Sequence, residues 1–480
     1  MKKHFLRHLT PVVSALLLAS CSGQAIAPGA SSQPAPVQSA VTTQRVTPEV
    51  ETTIAETIED EVIVKYRAGF STQSQRTVSG AEVLDAFNDS NTQLHRLPQG
   101  VKLQDALSQY SADPQVDFAI PNVNFKVQMT LKERLKKWFG DDEDEVVVVP
   151  QPIPATGTTA QASKPLQIQA MDPLTQSQWY LSAMNMNQVW TDYGVGESSV
   201  TVAVLDTGVD YTHPDLAGRI IKGPDYVDRD LDPKDEHGHG THVAGIITAG
   251  LNNQEGISGM APNVKIMAIR VLDAKGSGSL FNIAKGIAYA ANNGAKVINM
   301  SLGSPSGGST MRTLANFLSR YAEARGSLII AAAGNAGGPI GFPAAASEFL
   351  SVGAVNEDKY IASFSNRGKE LDVVAPGVQI TSTFPTYEVT ANQLGLPHDY
   401  ATLNGTSMAT PMVSALAAML WSQNPYLKPA QVRSRIEDTA SDLGAIGVDE
   451  LYGHGMINPA LALKQSAAEV AENSKVQAIQ

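Results

Sequence analysis

Between about residue 172 and residue 460, short apolar runs rich in β-branched residues alternate with longer segments of helical spacing. The apolar runs cover residues 200–205, 264–272, 296–301, 328–333 and 350–355. Short runs of this kind, separated by helices, are typical of parallel strands that are buried on both faces. The pattern therefore predicts an α/β fold, with a three-layer, mostly parallel and doubly wound sheet covered by helices. Ligands of such sheets bind beyond the carboxyl ends of the strands, and Asp206, Ser301 and Asn335 lie at or just past such ends.

A different pattern over residues 51–128 predicts a small α+β domain in front of the sheet. Residues 62–66 form a strand-like run, and residues 102–110 carry apolar positions at helical spacing. Residues 129–170 form a predicted linker, with a basic stretch, an acidic run and prolines that keep the chain extended. The basic stretch could contact a membrane, but a charged run is more often a solvated face, which is the interpretation we favour.

The first 50 residues have the composition of an export signal followed by a tether. Basic residues precede a short apolar stretch within residues 1–20, as in a signal peptide, and residues 21–50 are rich in Ala, Ser, Pro, Gln and Thr. The string Leu18-Ala19-Ser20-Cys21 resembles a bacterial lipobox, which implies a lipid on Cys21. The alternative is an ordinary signal peptide that contains a cysteine. Apart from this segment, no apolar run is long enough to span a bilayer.

Net charge and cysteine content limit the binding partners and the covalent cross-links that the chain can have. The chain of 480 residues has a net charge of −12 and no long basic run, which argues against nucleic acid as a partner. Cys21 is the only cysteine, so no intramolecular disulfide can form. An exported protein without disulfides usually needs another means of stabilisation.

Three motifs carry the candidate chemistry. Asp206 lies in Val204-Leu205-Asp206-Thr207-Gly208, and His239 begins His239-Gly240-Thr241-His242-Val243-Ala244-Gly245. Ser407 lies in Asn404-Gly405-Thr406-Ser407-Met408-Ala409-Thr410-Pro411, a small-residue turn that leads into an apolar helix. A serine at a helix N-terminus faces backbone N–H groups that stabilise negative charge. These motifs and their order resemble the subtilisin family of serine proteases, its thermitase-like branch in particular, over about residues 170–460.

The resemblance implies a serine endopeptidase that works through an acyl-enzyme intermediate. Ser407 would be the nucleophile, His239 the general base and Asp206 the residue that orients the imidazole. Asn335, in Ala331-Ala332-Ala333-Gly334-Asn335, would stabilise the oxyanion together with the Ser407 N–H. His242, one helical turn after His239, is interpreted as a packed helix residue, and His237 as loop surface.

The resemblance also implies how substrate and inhibitor bind. Gly276-Ser277-Gly278 and Ser301-Leu302-Gly303 would bind a peptide main chain as an added strand. The walls of the S1 pocket would include Ala332, Ala333 and Gly334, which favours large neutral or apolar P1 side chains. Residues 339–347 depart in length from better-known relatives, which leaves the pocket depth open.

Residues 116–122 resemble the inhibitory prodomain of such zymogens. We therefore expect residues 51–128 to inhibit the catalytic domain at residues 171–465 intramolecularly, until self-processing in the linker. An accessory domain without an inhibitory role is the alternative. The remaining expectations are polypeptide substrates, a monomer, a tail at residues 466–480, and an exported protein that is lipid-anchored before processing and secreted afterwards.

Structural calcium is the expected cofactor, with two candidate sites. One resembles a thermitase-type site, although Lys234 departs from that pattern; its acidic residues are Asp225, Asp228, Asp230 and Asp232. The other matches the tight site of the family; its residues are Asp172, Asp215 and Asn253, with carbonyls from Gly250, Glu255 and Ile257.

Three other functions compete with this interpretation. The triplet His237, His239 and His242 could bind zinc, but the carboxylate partners of such a site are missing from the pattern. Asp206-Thr207-Gly208 also occurs in aspartic proteases, whose second triplet is not matched by Asp438-Thr439-Ala440. A catalytically inactive lipoprotein could use the same fold for binding alone.

Overall fold

The structure is a computed structural model that describes residues 56–68, 80–87, 90–127, 168–304 and 309–464. The predicted signal, the tether with Cys21, nearly all of the linker and the tail lie outside the described residues. Within the described chain, no helix is both long and apolar enough to cross a bilayer.

The small N-terminal domain is an antiparallel sheet with one helix in its described part. Its elements are β1 (Thr57–Tyr66), β2 (Glu82–Phe87), β3 (Thr92–Arg96), α1 (Leu103–Ala112) and β4 (Val116–Val127), with strand order β4-β1-β3-β2. Successive side chains of a strand point to opposite faces of its sheet. Val62, Val64 and Tyr66 accordingly pack on Ala106 and Tyr110 of α1. Ile63 and Ile120 belong instead to the core of the large domain, so the second face of this sheet is buried against that domain.

A parallel sheet of seven strands forms the centre of the large domain. Its strands are β5 (Thr201–Asp206), β6 (Ile220–Asp225), β7 (Lys265–Arg270), β9 (Val297–Met300), β11 (Leu328–Ala332), β12 (Leu350–Val355) and β13 (Val373–Pro376), in the order β13-β12-β11-β9-β5-β7-β6. The five predicted apolar runs are all strands of this sheet. The short strands β8 (Ser277–Ser279) and β10 (Leu302–Gly303) pair with β4, while β14 (Ile380–Thr383) and β15 (Tyr400–Leu403) pair with each other.

Three helices in the described part of the large domain lie between its strands in sequence, as the alternating pattern predicts, while two precede the first strand and three follow the last. The helices are α2 (Trp179–Ala183), α3 (Met186–Tyr193), α4 (His239–Thr248), α5 (Leu280–Asn292), α6 (Ser309–Glu323), α7 (Thr406–Gln423), α8 (Pro429–Asp438) and α9 (Pro459–Leu463), with 3₁₀ turns at Thr175–Ser177, Pro214–Leu216 and Thr390–Leu394. All residues of α4 are buried, as are nearly all of α7. A helix that is buried on all sides belongs to the core, and these two helices pack against each other there. The predicted fold class, including the small α+β domain, is confirmed.

Candidate active site

Asp206 and His239 form a fully buried pair at the carboxyl edge of the sheet. Asp206 ends β5 and His239 begins α4. The Nδ1 atom of His239 lies 2.7 Å from Oδ1 of Asp206, and the backbone N–H of Thr207 donates to the same oxygen at 2.8 Å. With its Nδ1 proton held by the carboxylate, the imidazole presents Nε2 as an acceptor. This Nε2 atom is buried and has no hydrogen-bond partner in the described structure.

Ser407 lies in the first turn of α7, beside the strand next to β5. Its Oγ donates to the carbonyl oxygen of Ser301 at 2.9 Å, and the Ser301 hydroxyl donates to the Ser407 carbonyl at 3.0 Å. Ser301 directly follows β9, which pairs with β5, so Ser301 and Asp206 lie at the same edge of the sheet. In this rotamer the Ser407 hydroxyl does not bond to His239. Catalytic hydrogen bonds of this kind often form only when substrate is present.

Asn335 is held beside Ser407 with its amide oriented. Its Oδ1 accepts hydrogen bonds from the backbone N–H and the hydroxyl of Thr406, at 2.9 Å and 3.0 Å. The carbonyl end of the amide therefore faces Thr406, which fixes the direction of the NH₂ group. The Nδ2 atom is buried and has no partner among the described residues. A free, oriented donor next to Ser407, the predicted nucleophile, is what an oxyanion site requires.

The two neighbouring histidines have separate environments. Nε2 of His242 bonds to the carbonyl oxygens of Ile380 and Ala401, and burial lowers the pKa of His242 to about 3. His237 is only 5% exposed, so its interpretation as loop surface is wrong. Burial, and then repulsion from His239, lower the pKa of His237 to about 4. Because Asp206 and the two carbonyls engage two of the three rings, the histidines do not converge on a common point as zinc ligands would.

The last residues of β4 occupy the groove predicted to bind peptide substrates. Phe125 pairs antiparallel with Gly278, and Lys126 pairs with Ser277 on one side and Gly303 on the other. Val127 pairs with Leu302, and its N–H donates to the Gly276 carbonyl at 2.9 Å. The two predicted main-chain segments therefore bracket a strand of this chain itself.

Phe125 anchors that strand in an apolar pocket. Its side chain is 1% exposed, and its ring lies 5.9 Å from that of Phe342 in an edge-on arrangement. The other walls come from α5, β9 and α6, and include Leu280, Ile283, Met300 and Leu314. The small domain makes polar contacts as well. Asn122 Oδ1 accepts from the Phe281 N–H in the first turn of α5, and Asp85 pairs with Lys285 at 2.6 Å.

The predicted walls of the S1 pocket are small and buried. Ala332 ends β11, Ala333 and Gly334 follow it, and Gly334 has a φ of +108°. The Ala333 carbonyl accepts hydrogen bonds from the Gly341 N–H and from Nδ2 of Asn366, which fixes the backbone there. The residues predicted for this pocket bring no charge into it.

The first candidate calcium loop contains a cation of the protein. The guanidinium of Arg270 pairs with Asp225 and Asp228, both at 2.7 Å, and with Glu236 at 2.5 Å. The second oxygen of Asp225 accepts the backbone N–H groups of residues 227 and 228. Asp232 pairs with Lys222, and Asp230 accepts the Asp232 N–H. In this arrangement these carboxylates do not fit a Ca²⁺ ion, because Arg270 already supplies the positive charge.

The second candidate site has no such cation. Asp215 is fully buried and accepts hydrogen bonds from Asn253, Tyr400 and the N–H groups of Gly250 and Ile257. No lysine or arginine of the described chain forms an ion pair with Asp172 or Asp215. Burial raises the pKa of Asp215, and its hydrogen bonds only partly oppose this.

Asp172 ties the N-terminal segment to the same loop. Its carboxylate accepts hydrogen bonds from the N–H groups of Asn252 and Gln254 and from the Ser258 hydroxyl. Gly250 and Asn253 approach so closely that a Cβ on Gly250 would lie 2.1 Å from the Asn253 amide. Two buried carboxylates from separate segments thus contact the same tight loop at residues 250–258, and carboxylate oxygens are ligands that suit Ca²⁺.

A parallel sheet with an Asp–His pair at its edge, a serine at a helix N-terminus and an oriented amide beside it make up an arrangement typical of subtilisin-like serine proteases. The Subtilase family model matches residues 197–455, and the chain belongs to this family. A second model, the Fervidolysin N-terminal prodomain, matches residues 44–122. The predicted family is confirmed.

Several characterised proteins are similar to this chain. It is 48% identical over 269 residues to a thermophilic serine proteinase of Bacillus sp. (strain AK1), covering 55% of this chain and 63% of that protein. It is 42% identical over 289 residues to thermitase of Thermoactinomyces vulgaris, covering 60% and 96%. A crystal structure of fervidolysin from Fervidobacterium pennivorans, titled a keratinolytic enzyme related to subtilisin, matches with a TM-score of 0.68 and 27% identity, covering 86% of this chain and 62% of that one. The chain thus spans less than two thirds of the Bacillus relative and of the fervidolysin chain.

Proposed function

We propose that the protein is a serine endopeptidase in which Ser407, His239 and Asp206 form the catalytic triad. The observation that carries the proposal is the buried Asp206–His239 pair, which leaves the imidazole Nε2 free as an acceptor. In the reaction, Ser407 Oγ attacks the peptide carbonyl while His239 takes its proton. His239 then gives that proton to the departing amine, and water hydrolyses the acyl-enzyme in the reverse sequence.

The oxyanion is stabilised by Asn335 Nδ2 and the Ser407 N–H. Asn335→Ala removes one of these donors and should lower kcat by about 10²–10³-fold, the loss found when the corresponding donor of subtilisin is removed. KM should change little, because this hydrogen bond forms only as charge develops.

Labelling by a fluorophosphonate probe tests the assignment of the nucleophile. The wild-type protein should be modified at Ser407 and lose its activity, and Ser407→Ala should take up no label. An active protein that is not labelled, and that a chelator inactivates at once, would instead revive the zinc interpretation.

We further propose that residues 51–128 inhibit the enzyme until it processes itself. The support is the pairing of residues 124–127 with both groove segments, because a strand bound there excludes a substrate. Ser407→Ala should accumulate near full length in a host that lacks other proteases. Normal maturation of that variant would contradict self-processing, and N-terminal sequencing of the mature wild type locates the cut.

Substrate preference is proposed from the groove. The small, uncharged Ala332, Ala333 and Gly334 favour large neutral or apolar side chains at P1 with little selectivity. Profiling with a peptide library should give higher kcat/KM for aromatic and long aliphatic P1 residues than for charged ones. Equal rates for acidic P1 residues would contradict this assignment.

Structural Ca²⁺ is proposed at the second candidate site, held by Asp172, Asp215, Asn253 and carbonyls of Gly250, Glu255 and Ile257. The support is the buried, unneutralised carboxylate of Asp215. An ion there would join three separate segments of the chain and stabilise the fold without taking part in the reaction.

Location is proposed from the sequence of the N-terminal region. A lipid on Cys21 would lie on the prodomain side of the processing site, so maturation would release the enzyme from its anchor. Mass spectrometry should find a lipid-modified Cys21 fragment in the membrane fraction and soluble protease without it. Active, mature enzyme that still carries the lipid would contradict the proposal.

A further inference from the structure

Asp235 is a buried carboxylate that the proposed reaction does not use. It lies in the loop that leads to His239 and is fully buried. Both of its oxygens accept hydrogen bonds: Oδ1 from Thr207 Oγ1 (2.8 Å), His237 N (3.0 Å) and Gly238 N (2.8 Å), and Oδ2 from Thr241 N (2.9 Å) and Thr241 Oγ1 (2.6 Å). Both hydroxyls already accept a backbone N–H, so their protons are free to point at Asp235. Five donors thus surround the Asp235 side chain, and only the ionised carboxylate can accept all five hydrogen bonds.

These contacts replace a helix cap that the sequence does not supply. The N-cap of α4 is Gly238, which has no side chain and a φ of +108°. The first N–H groups of a helix have no partner within the helix. Here Asp235 accepts the Thr241 N–H, and Thr207 Oγ1 accepts the Gly240 N–H at 3.0 Å. The first turn of α4, which contains His239, is therefore held from outside the helix.

The same contacts reach the other member of the catalytic pair. Thr207 follows Asp206 directly, and its hydroxyl lies between the Asp235 carboxylate and the Gly240 N–H. Gly240 packs against the end of β5 so closely that a Cβ there would lie 2.0 Å from the Gly208 carbonyl. The end of β5 and the start of α4 are thus joined through Asp235 and Thr207, independently of the Asp206–His239 hydrogen bond.

A second layer supports the loop from outside. The Phe384 ring fills the space beside Gly238, where a Cβ would lie 2.2 Å from it. The Tyr387 hydroxyl donates to the Asp235 carbonyl at 3.0 Å, and the Ala391 N–H donates to the His237 carbonyl at 3.3 Å. Residues 235–238 are therefore held on both sides.

We propose that Asp235 is a positioning residue for the reaction: with Thr207 as its intermediary, it sets the imidazole of His239 against Asp206. It acts without touching substrate. The inference rests on the proposed function, since it concerns how the triad is held. A displacement of about 1 Å at a catalytic group can cost about 10²-fold in rate, which is the scale of effect expected here.

Asp235→Asn is the direct test, because it keeps the shape and places an amide NH₂ against groups that all donate. In the mature enzyme kcat should fall by about 10²-fold while KM for a peptide substrate stays within about twofold. The downfield proton resonance of the His239–Asp206 hydrogen bond should shift or broaden.

Asp210→Asn is the matched control. Asp210 is also buried, and its carboxylate accepts hydrogen bonds from Thr212 and Thr386, not from the first turn of α4. This variant should lose stability while keeping kcat and the proton resonance. Equal losses of kcat in the two variants would reduce Asp235 to a structural role and overturn the inference.

A second pair of variants, at Thr207, tests the inference if Asp235→Asn does not mature. Thr207→Val removes the intermediary hydroxyl without changing the volume much, and Thr207→Ser restores it. The valine variant should lose kcat and the serine variant should recover most of it. Equal kcat in both would overturn the inference. A wild-type protein that neither turns over peptides nor takes up the fluorophosphonate label would refute the proposed function itself.

Discussion

The loop before α4 and the loop after it both collect acidic or amide side chains, but only the first contains a cation of the protein. Before the helix, Arg270 reaches Asp225, Asp228 and Glu236. After it, the loop at residues 250–258 donates hydrogen bonds to Asp215 and Asp172, and neither carboxylate forms an ion pair with a lysine or arginine of the described chain. Both were predicted as calcium sites, the first from its carboxylate spacing and the second from its match to the tight site of the family. The difference teaches that the density of acidic residues does not identify a metal site; the second loop differs because two buried carboxylates from separate segments meet it without an ion-paired cation.

The largest expected effect comes from removing the protein's own cation. Arg270→Ala would leave Asp225 buried and unpaired, and losing one partner of a buried pair costs about 3–5 kcal/mol. Chemical denaturation of the variant, blocked at Ser407 by the fluorophosphonate, measures this loss. Excess calcium should restore part of the stability, because the loop then needs an external cation. An unchanged free energy of unfolding would show that the guanidinium does not balance these charges.

Chelation should have the next largest effect, at the second loop. A ligand that binds only the native state at 100 times its Kd contributes about 2.7 kcal/mol. For a catalytic domain of about 300 residues, that corresponds to a fall in Tm of about 4 °C in excess chelator. Asp215→Ala should show the same fall and then no further response to the chelator, while Asp228→Ala should keep the response. If excess chelator leaves the Tm of the wild-type protein unchanged, that result would count against calcium at either loop.

Lowering the pH should reduce the difference in Tm between the calcium-loaded and the chelated protein. Burial raises the pKa of Asp215, so in the metal-free protein the folded state binds a proton more readily than the unfolded chain does. Stability linked to that proton is present at low pH and is lost as the pH rises through the raised pKa. A bound cation favours the ionised carboxylate, so the calcium-dependent difference in Tm should shrink as the pH falls through that range. A difference that stays constant as the pH falls through the range in which buried carboxylates protonate would exclude Asp215 as the ligand.

The smallest effect is expected at the edge of the first loop. Asp232 and Lys222 pair at 2.9 Å, but both side chains are about half exposed. Exposed ion pairs contribute at most about 1 kcal/mol. Asp232→Asn should therefore change the denaturation midpoint barely at all, with or without calcium. A large calcium-dependent loss would reopen the first loop as a metal site.

The sequence was sufficient for five of the seven strands of the parallel sheet and for the residues at their ends, but β6 and β13 were not predicted. Asp206 and Ser301 terminate recognisable apolar runs, and strand ends of a parallel sheet meet at one edge by geometry alone. Arg270 could not be assigned in this way, because its role depends on β7 lying beside β6 and on a side chain that crosses from one strand to the next loop.

The surroundings of Asp235 and His237 could not be predicted from the sequence for the same reason, because they are formed by several distant segments. In the sequence, Asp235 is one of several acidic loop residues; its contacts with Thr207 and Thr241 are apparent only in the structure. His237 looks exposed among polar neighbours, but Phe384 and Ala391 arrive from a segment more than a hundred residues later and cover its loop. Local pattern predicts elements well, but it carries little information on which distant loop covers another.

The early position of β4 in the sequence also affects the order in which the substrate groove is assembled during synthesis. This strand is synthesised before β8 and β10, which it joins, and long before Ser407 near the other end of the chain. N-terminal segments emerge first during synthesis, so β4 is available when the later segments arrive. The groove is then assembled around a strand that already occupies it, and the nucleophile is added last. A newly made molecule would pass through no stage at which a complete active site stands open.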